Sequence, residues 1–291
     1  MRGIILAGGT GSRLWPITLG ISKQLLPVYN KPMIYYPIST LMLAGIREIL
    51  IITNPKDQSQ FKDLLGDGSN FGIHIEYAIQ LEPKGLAQAL TIGANFLSGD
   101  SCLLILGDNL FHGAGLGQEL QSSIPEVGAH VFTYAVSNPE DYGVLTLNKK
   151  GLPESIEEKP LESKSNLAIT GLYFFDYRAS SFAALVKPSK RGELEITSLL
   201  EMYLQLGELT VTNLSRGTAW LDTGSVDSLQ NASTYIKVIE QRTGLKICCP
   251  EEIGLANNWI EKHEIFERAK SMNNEYGRYL LRIMGDSFET Q

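Results

Sequence analysis

The stretch Gly3-Ile4-Ile5-Leu6-Ala7-Gly8-Gly9-Thr10-Gly11-Ser12-Arg13-Leu14 carries a short apolar run into a loop of glycines and hydroxyls. Residues 3–7 have no polar interruption, which marks a strand buried on both faces rather than one with a wet side. Glycine lets a backbone approach a ligand closely and adopt positive φ, so that successive N–H groups can converge on phosphate oxygens. The same glycines also suit a plain strand-to-helix turn, so the surroundings must decide between the two readings.

Working outward, short apolar runs alternate with longer amphipathic ones through the first half. Residues 48–53, 74–79 and 102–106 read as strands; residues 32–44, 57–65 and 86–96 read as helices. This order predicts an α/β fold, a Rossmann-like, mixed and mostly parallel sheet flanked by helices. Ligands in open sheets of this kind bind beyond the carboxyl ends of the strands, which directs attention to the residues just after Ala7, Ile79 and Leu106.

From about residue 129 the pattern turns β-rich, with strand-like runs at 131–136, 143–147, 153–158 and 168–175. Helical patterns return at 177–186 and 195–206. A long helix is expected from an N-cap at Ser225 to a stop at Gly244, with Val226, Leu229, Ala232, Ile236 and Ile239 on one side. The tail from Pro250 reads as helical. With no repeat and no Pro/Ser-rich linker, the expectation is one elaborated unit: a core over 1–244, with halves at 1–128 and 129–244, and a helical extension over 245–291 that caps the core or forms an oligomer or regulatory surface.

The charge is uneven. The 291 residues hold 25 Lys and Arg against 32 Asp and Glu, a net charge of -7, yet residues 1–47 carry +5 because no acid precedes Glu48. An acidic total without a basic block argues against nucleic-acid binding. No apolar run approaches the roughly 18 residues of a membrane span, and the run after Met1-Arg2 lacks a signal-peptide pattern, so the cytoplasm is the expected compartment. Cys102, Cys248 and Cys249 form no disulfide framework or metal spacing, and the four histidines are scattered.

Two phosphate motifs fail against the loop. A Walker A loop ends in Gly-Lys and a hydroxyl residue, whereas this one ends Gly11-Ser12-Arg13. A dinucleotide fingerprint from Gly9 needs a small residue where Leu14 stands, and an acid near Lys31, Pro32 and Met33. That weakens a dehydrogenase reading. What remains is a glycine loop followed by Arg13 and Lys23, the latter in an irregular excursion between Pro16 and Pro27. With no acid nearby in sequence, a polyphosphate is the natural ligand. Arg2, Lys31 and Arg47 read as surface cations.

The run Gly8-Gly9-Thr10-Gly11-Ser12-Arg13-Leu14-Trp15-Pro16, followed by Lys23 and Pro27, resembles the signature of the sugar nucleotidyltransferases. The similarity continues through Gly85-Leu86-Ala87-Gln88-Ala89, Leu106-Gly107-Asp108-Asn109, Glu157-Glu158-Lys159-Pro160, Arg191-Gly192-Glu193-Leu194-Glu195-Ile196-Thr197 and Trp220-Leu221-Asp222-Thr223-Gly224, nearly the whole chain. Thr10 and Ser12 stand where Ser and Thr are more usual, which keeps both hydroxyls.

The resemblance implies that a sugar 1-phosphate attacks the α-phosphorus of a nucleoside triphosphate and releases pyrophosphate, with dTTP and glucose 1-phosphate as the substrates expected here. Both reactants are anions. Two unit charges about 4 Å apart at an effective dielectric near 20 repel by roughly 4 kcal/mol, about three powers of ten in rate. Catalysis should therefore be alignment and charge neutralisation.

By the resemblance, Asp108 and Asp222 hold Mg²⁺, a hard cation satisfied by one or two carboxylates plus phosphate oxygens. Arg13 meets the β/γ phosphates and Lys23 the α-phosphate, with Leu6, Gly8, Gly9, Thr10, Gly11, Ser12, Gln24, Gln80 and Gly85 around the nucleotide. Glutamine offers a donor and an acceptor to the thymine edge. Lys159 matches the sugar-phosphate lysine, with Asn109, Tyr142, Gly143, Glu158, Ile169 and Tyr173 shaping the sugar pocket; either tyrosine equally suits a core. The family pattern also implies a homotetramer inhibited by dTDP-rhamnose, with Gly113, Arg216 and Glu252 as regulatory matches. A UTP-using uridylyltransferase and a non-catalytic sugar-nucleotide sensor are the alternatives.

Overall fold

The computed structural model describes residues 1–285. Its strands are β1 (Arg2–Ala7), β2 (Pro27–Val28), β3 (Lys31–Pro32), β4 (Glu48–Thr53), β5 (His74–Ile79), β6 (Cys102–Leu106), β7 (Asn109–His112), β8 (Ala129–Ala135), β9 (Gly143–Leu147), β10 (Pro153–Glu158), β11 (Leu167–Phe175), β12 (Leu209–Asn213) and β13 (Ala219–Asp222). Nine of them form one mixed sheet in the order β10-β9-β11-β6-β1-β4-β5, with β8 paired to β11 and β12. The segment β6-β1-β4-β5 is parallel. β11 runs antiparallel to β6 and joins the β-rich second half to the same sheet.

Alternation along the parallel strands explains why they are apolar throughout. Ile5, Ile49, Ile51, Leu103 and Ile105 enter one core, while Ile4, Leu50, Ile52, Cys102 and Leu104 enter the other. Helices α1 (Tyr35–Leu43) and α2 (Gln58–Leu65) contribute to the first core. The second holds α3 (Gln88–Ile92), α4 (Ala94–Leu97), α6 (Ala179–Ala183) and α7 (Ile196–Gln205). The remaining early helix is α5 (Leu116–Ser122).

The long helix α8 (Val226–Thr243) starts and stops where its signals stand. Ser225 and Ser228 form a reciprocal capping box, and Gly244 closes the end at φ 72°. Its Ala232 and Ile236 pack on Val28, Met33 and Tyr36, whereas Val226, in the first turn, is exposed. Helices α9 (Pro250–Ala256), α10 (Lys262–Ser271) and α11 (Glu275–Gly285) share a further core built on Ile265, Ala269, Tyr279 and Leu280. Positions 286–291 of the expected C-terminal extension lie outside the described residues. Among the described residues no helix is long and apolar enough to cross a membrane.

Several sequence expectations need correction. The first helix begins at Tyr35, not residue 32, because Lys31–Pro32 pairs with Pro27–Val28. The helix expected over 86–96 is two short ones divided at Gly93, where an added Cβ would lie 2.7 Å from Ile4 Cδ1. Strands β2, β3, β7, β12 and β13 have no counterpart in the sequence expectation.

Lys31 is not a surface cation. It is 3% exposed and bonds Glu240 Oε1 at 2.9 Å, while Lys246 takes Oε2 at 2.9 Å. The Ile247 N–H and the Asn30 amide complete the shell around that carboxylate. A buried charge persists only when paired and hydrogen-bonded in this way, and the cluster ties the β2–β3 hairpin to the end of α8.

Candidate active site

Register places the chemistry along one edge. Ala7 lies opposite Thr53, Thr53 opposite Ile79, and Leu6 opposite Leu106, so β1, β4, β5 and β6 end together. The glycine loop, Gln80 and Gly107-Asp108 all leave from that edge. In the loop, Gly11 sits at φ 63° and its carbonyl accepts from Thr18 Oγ1 at 2.8 Å. Gly8 has no room for a Cβ, which would strike the Gln80 amide oxygen. The short turn Ser12–Leu14 buries Leu14 and leaves Arg13 exposed, its guanidinium lying over Gly224.

Lys23 is 6% exposed despite its charge. The excursion carrying it is pinned by Met33 N–H to the Leu26 carbonyl and by Ile34 N–H to the Gln24 carbonyl. Its ammonium finds a carboxylate from far along the chain: Lys23 Nζ stands 2.5 Å from Asp108 Oδ2. Burial alone would raise the Asp108 carboxyl, but the Lys23 charge and hydrogen bonds from Lys23 and Asn109 hold it below the usual carboxylate range.

The two-stranded ribbon β7–β13 brings the second aspartate home. Its register sets Asp222 opposite Asn109, and Thr223 donates through N–H and Oγ1 to the Asp108 carbonyl. Burial, then the Asp108 charge, pushes the Asp222 carboxyl up, with Lys23 and Arg13 opposing. A chain of bonds orients the first aspartate: Trp220 Nε1 donates to Asn109 Oδ1 at 2.5 Å, and Asn109 Nδ2 donates to Asp108 Oδ1 at 3.0 Å.

Two carboxylates, one repelling the other and both lining the same cavity, form a hard-oxygen pair. Among the described residues no cluster of three or more His, Cys, Asp or Glu could cage a metal by itself. This donor set fits a cation such as Mg²⁺, which completes its shell with water and phosphate oxygens, and not a closed zinc site.

Also lining the cavity, Lys159 follows β10 at φ 46°, its N–H held by the Tyr142 carbonyl at 3.0 Å. A left-handed backbone is uncommon for a side-chain-bearing residue, and here it ends the strand with an exposed ammonium lining the cavity. Glu158 accepts from Arg191 at 3.1 Å and Thr197 Oγ1 at 3.1 Å; burial, then the nearby Glu195, raises its carboxyl. Gly143 admits this approach, since a Cβ there would lie 3.0 Å from Thr197 Cγ2 and 3.3 Å from Glu158 Oε2. Tyr142 packs on Trp220 and is pushed up to about 12 by burial and Asp222. Tyr173 is a core aromatic, 4% exposed and stacked on Phe175, that shows only an edge to the cavity.

These residues line one cavity of about 640 Å³, including Leu6, Gly9, Arg13, Gln80, Gly85, Asp108, Asn109, Glu158, Lys159, Ile169 and Asp222. A recess of about 210 Å³ holds Gly9, Thr10, Gly11, Ser12, Arg13, Lys23 and Gln24 and shares Gly9, Arg13, Asp108 and Gly224 with it. The two pockets therefore adjoin at these four residues.

A family model described as nucleotidyl transferase matches residues 2–238. The chain belongs to the nucleotidyl transferase family. It is 54% identical over 286 residues to a protein of Neisseria meningitidis serogroup A named glucose-1-phosphate thymidylyltransferase, covering 98% of this chain and 99% of that one. A Mycobacterium tuberculosis protein of the same name is 52% identical over 285 residues, with 98% and 99% covered. The crystal structure of a candidate glucose-1-phosphate thymidylyltransferase from Bacillus anthracis, in complex with sucrose, aligns at TM-score 0.74 and 41% identity over 81% of this chain and 94% of that one. A UDP-glucose pyrophosphorylase shares the fold at TM-score 0.71 and 24% identity, covering 82% of this chain and 98% of its own.

Within this nucleotidyl transferase, sequence reasoning left Arg191, Glu195, Thr197 and Trp220 without a role, although each stood inside a quoted motif and each lines the cavity. The signal was there in Arg191-Gly192-Glu193-Leu194-Glu195, a cation followed by two acids: Arg191 pairs with Glu158, Glu193 and Glu195. The three regulatory matches do not share one place. Gly113 abuts Thr218, near the exposed Arg216, whereas Glu252 accepts from the Tyr279 hydroxyl at 2.5 Å and opens onto a separate depression with His263 and Ile283.

Proposed function

We propose that this chain transfers the thymidylyl group of dTTP to α-D-glucose 1-phosphate, giving dTDP-glucose and pyrophosphate, the first step toward dTDP-rhamnose-type deoxysugars. The observation that carries the reading is the β7–β13 ribbon, which sets Asp222 beside Asp108 in a cavity that Gly9, Arg13 and Lys159 also line. The names of the full-length relatives agree with it. Asp108 and Asp222 would hold Mg²⁺, which when bound supplies charge neutralisation to the phosphates.

In this reading the loop from Gly8 to Ser12 and Arg13 receive the outgoing phosphates, and Lys23 faces the α-phosphate. Because Lys23 pairs with Asp108 at 2.5 Å, its ammonium is oriented before any ligand arrives and needs little reorganisation during reaction. Lys159, exposed in the same cavity, takes the sugar phosphate, and Glu158, held by Arg191 and Thr197, accepts from sugar hydroxyls. In this reading the sugar phosphate attacks the α-phosphorus in line with the departing pyrophosphate, with no covalent intermediate.

The same proposal assigns residues 1–128 to the nucleotide, 129–244 to the sugar phosphate and 245–291 to an extension, in a cytoplasmic homotetramer. Inhibition by dTDP-rhamnose through Gly113, Arg216 and Glu252 would require a second copy to complete the site, since Glu252 opens elsewhere. Pyrophosphate release from dTTP with glucose 1-phosphate tests the reading. Asp108→Asn and Asp222→Asn should each remove most turnover with the fold intact; near-normal rates in both would sink the assignment.

A further inference from the structure

Gln88 opens α3 and is assigned no role by the function proposed above. Its Oε1 accepts from Gln80 Nε2 at 2.7 Å and from the Lys84 N–H at 3.1 Å, the latter shared with the Glu82 carbonyl. A backbone N–H only donates, so Gln88 cannot turn its own NH₂ toward Lys84 without setting donor against donor. The orientation of the Gln88 amide is thereby fixed by the backbone, and it dictates that Gln80 present NH₂ to it. Gln80 is 2% exposed, and its carbonyl side lies against Gly8, where no Cβ fits. Reversing its amide would set Gln80 Oε1 against Gln88 Oε1, acceptor against acceptor, yet Gln80 lines the cavity beside Gly85.

We infer that Gln88 is a positioning residue for base selection: by locking the Gln80 amide in one orientation, it favours a pyrimidine with an N3–H donor and an O4 acceptor over cytosine. Cytosine carries the opposite order, an N3 acceptor beside an N4 donor. A free amide would serve either base by rotating half a turn; a locked one serves one of them. The base itself cannot turn over to compensate, because its sugar and triphosphate are tied to the loop. Unpaired buried polar groups then penalise the wrong base, the strongest form of discrimination open to a binding site.

The inference rests on the proposed thymidylyl transfer, and the experiment separates the two. Specificity constants for dTTP, UTP and CTP are measured on the wild-type chain and on Gln88→Met, which keeps the length and removes the acceptor, with Gln88→Glu as the variant that retains it. Gln88→Met should lower the dTTP-to-CTP ratio at least tenfold, through a higher KM for dTTP and a gain for CTP, with the KM for glucose 1-phosphate unchanged. Gln88→Glu should keep most of the ratio. Gln88→Ala repeats the comparison if the Met variant misfolds. A wild-type chain selective for dTTP whose ratio survives both the Met and Ala changes overturns the positioning role alone. A wild-type chain that does not use dTTP overturns the functional reading with it.

Discussion

Replacing Trp220 with Phe should weaken the proposed metal site at Asp108 and Asp222 while leaving the aromatic packing in place. The indole ring lies 5.2 Å from Tyr142 and 6.0 Å from Tyr134 between centroids, contacts that a phenyl ring largely keeps. What disappears is the N–H that Asn109 Oδ1 accepts at 2.5 Å. Asn109 is 3% exposed, so its carbonyl becomes a buried acceptor without that donor, at a cost of about 1–3 kcal/mol. Without that donor the Asn109 side chain loses the anchor that points its NH₂ at Asp108, and turning the amide brings no relief, since its oxygen would face a carboxylate and the 3.0 Å bond that holds Oδ1 would be lost. A hydrogen bond to a charged group contributes about 1.5–3 kcal/mol, so metal affinity or turnover should fall roughly ten- to a hundredfold. The assay is a Mg²⁺ titration of pyrophosphate release, with thermal melting alongside. The midpoint should rise while the KM for glucose 1-phosphate holds, and Asn109→Leu should reproduce the shift. A Trp220→Phe protein that melts earlier but keeps the wild-type metal midpoint would refute the reasoning and reduce the indole to packing.

Three further outcomes follow from other parts of the molecule. Lys159→Ala should raise the requirement for glucose 1-phosphate more than that for dTTP, and steady-state kinetics showing an effect confined to dTTP would remove its assigned role. Lys31→Met leaves Glu240 buried with one cation fewer, so denaturant unfolding should show a loss of about 3 kcal/mol; an unchanged midpoint would mean that the cluster is not structural. His130 is 6% exposed, and burial lowers its pKa from 6.5 to about 4. The unfolded chain therefore binds this proton first. The stability it confers is complete above pH 6.5 and fades as pH falls through 4, by up to roughly 3 kcal/mol. His130→Gln should flatten that part of the stability curve, and a curve identical to wild type would reject the attribution.

The parallel half of the sheet was legible because β1, β4 and β6 are apolar on both faces, and α8 because Ser225 and Gly244 mark its ends. The positions of Asp108 and Gln80 followed, as residues just past strand ends. The approach of Asp222 to Asp108 was implied by the family resemblance and by no local pattern. It depends on two four-residue strands far apart in the chain, too short to announce themselves in sequence. Lys31 was misread for a related reason: lysine looks like surface until a distant Glu240 is known to neutralise it. The grip of Arg191 on Glu158 likewise joins segments that no local pattern connects. Residue types announced the chemistry, but tertiary pairing decided which residues share a wall.

The most direct test is to mix the chain with dTTP, α-D-glucose 1-phosphate and Mg²⁺ and follow phosphorus NMR. The account predicts pyrophosphate appearing one for one with the two coupled resonances of dTDP-glucose, and reversal when pyrophosphate is added in excess to dTDP-glucose. Unchanged dTTP, or inorganic phosphate in place of pyrophosphate, would contradict it.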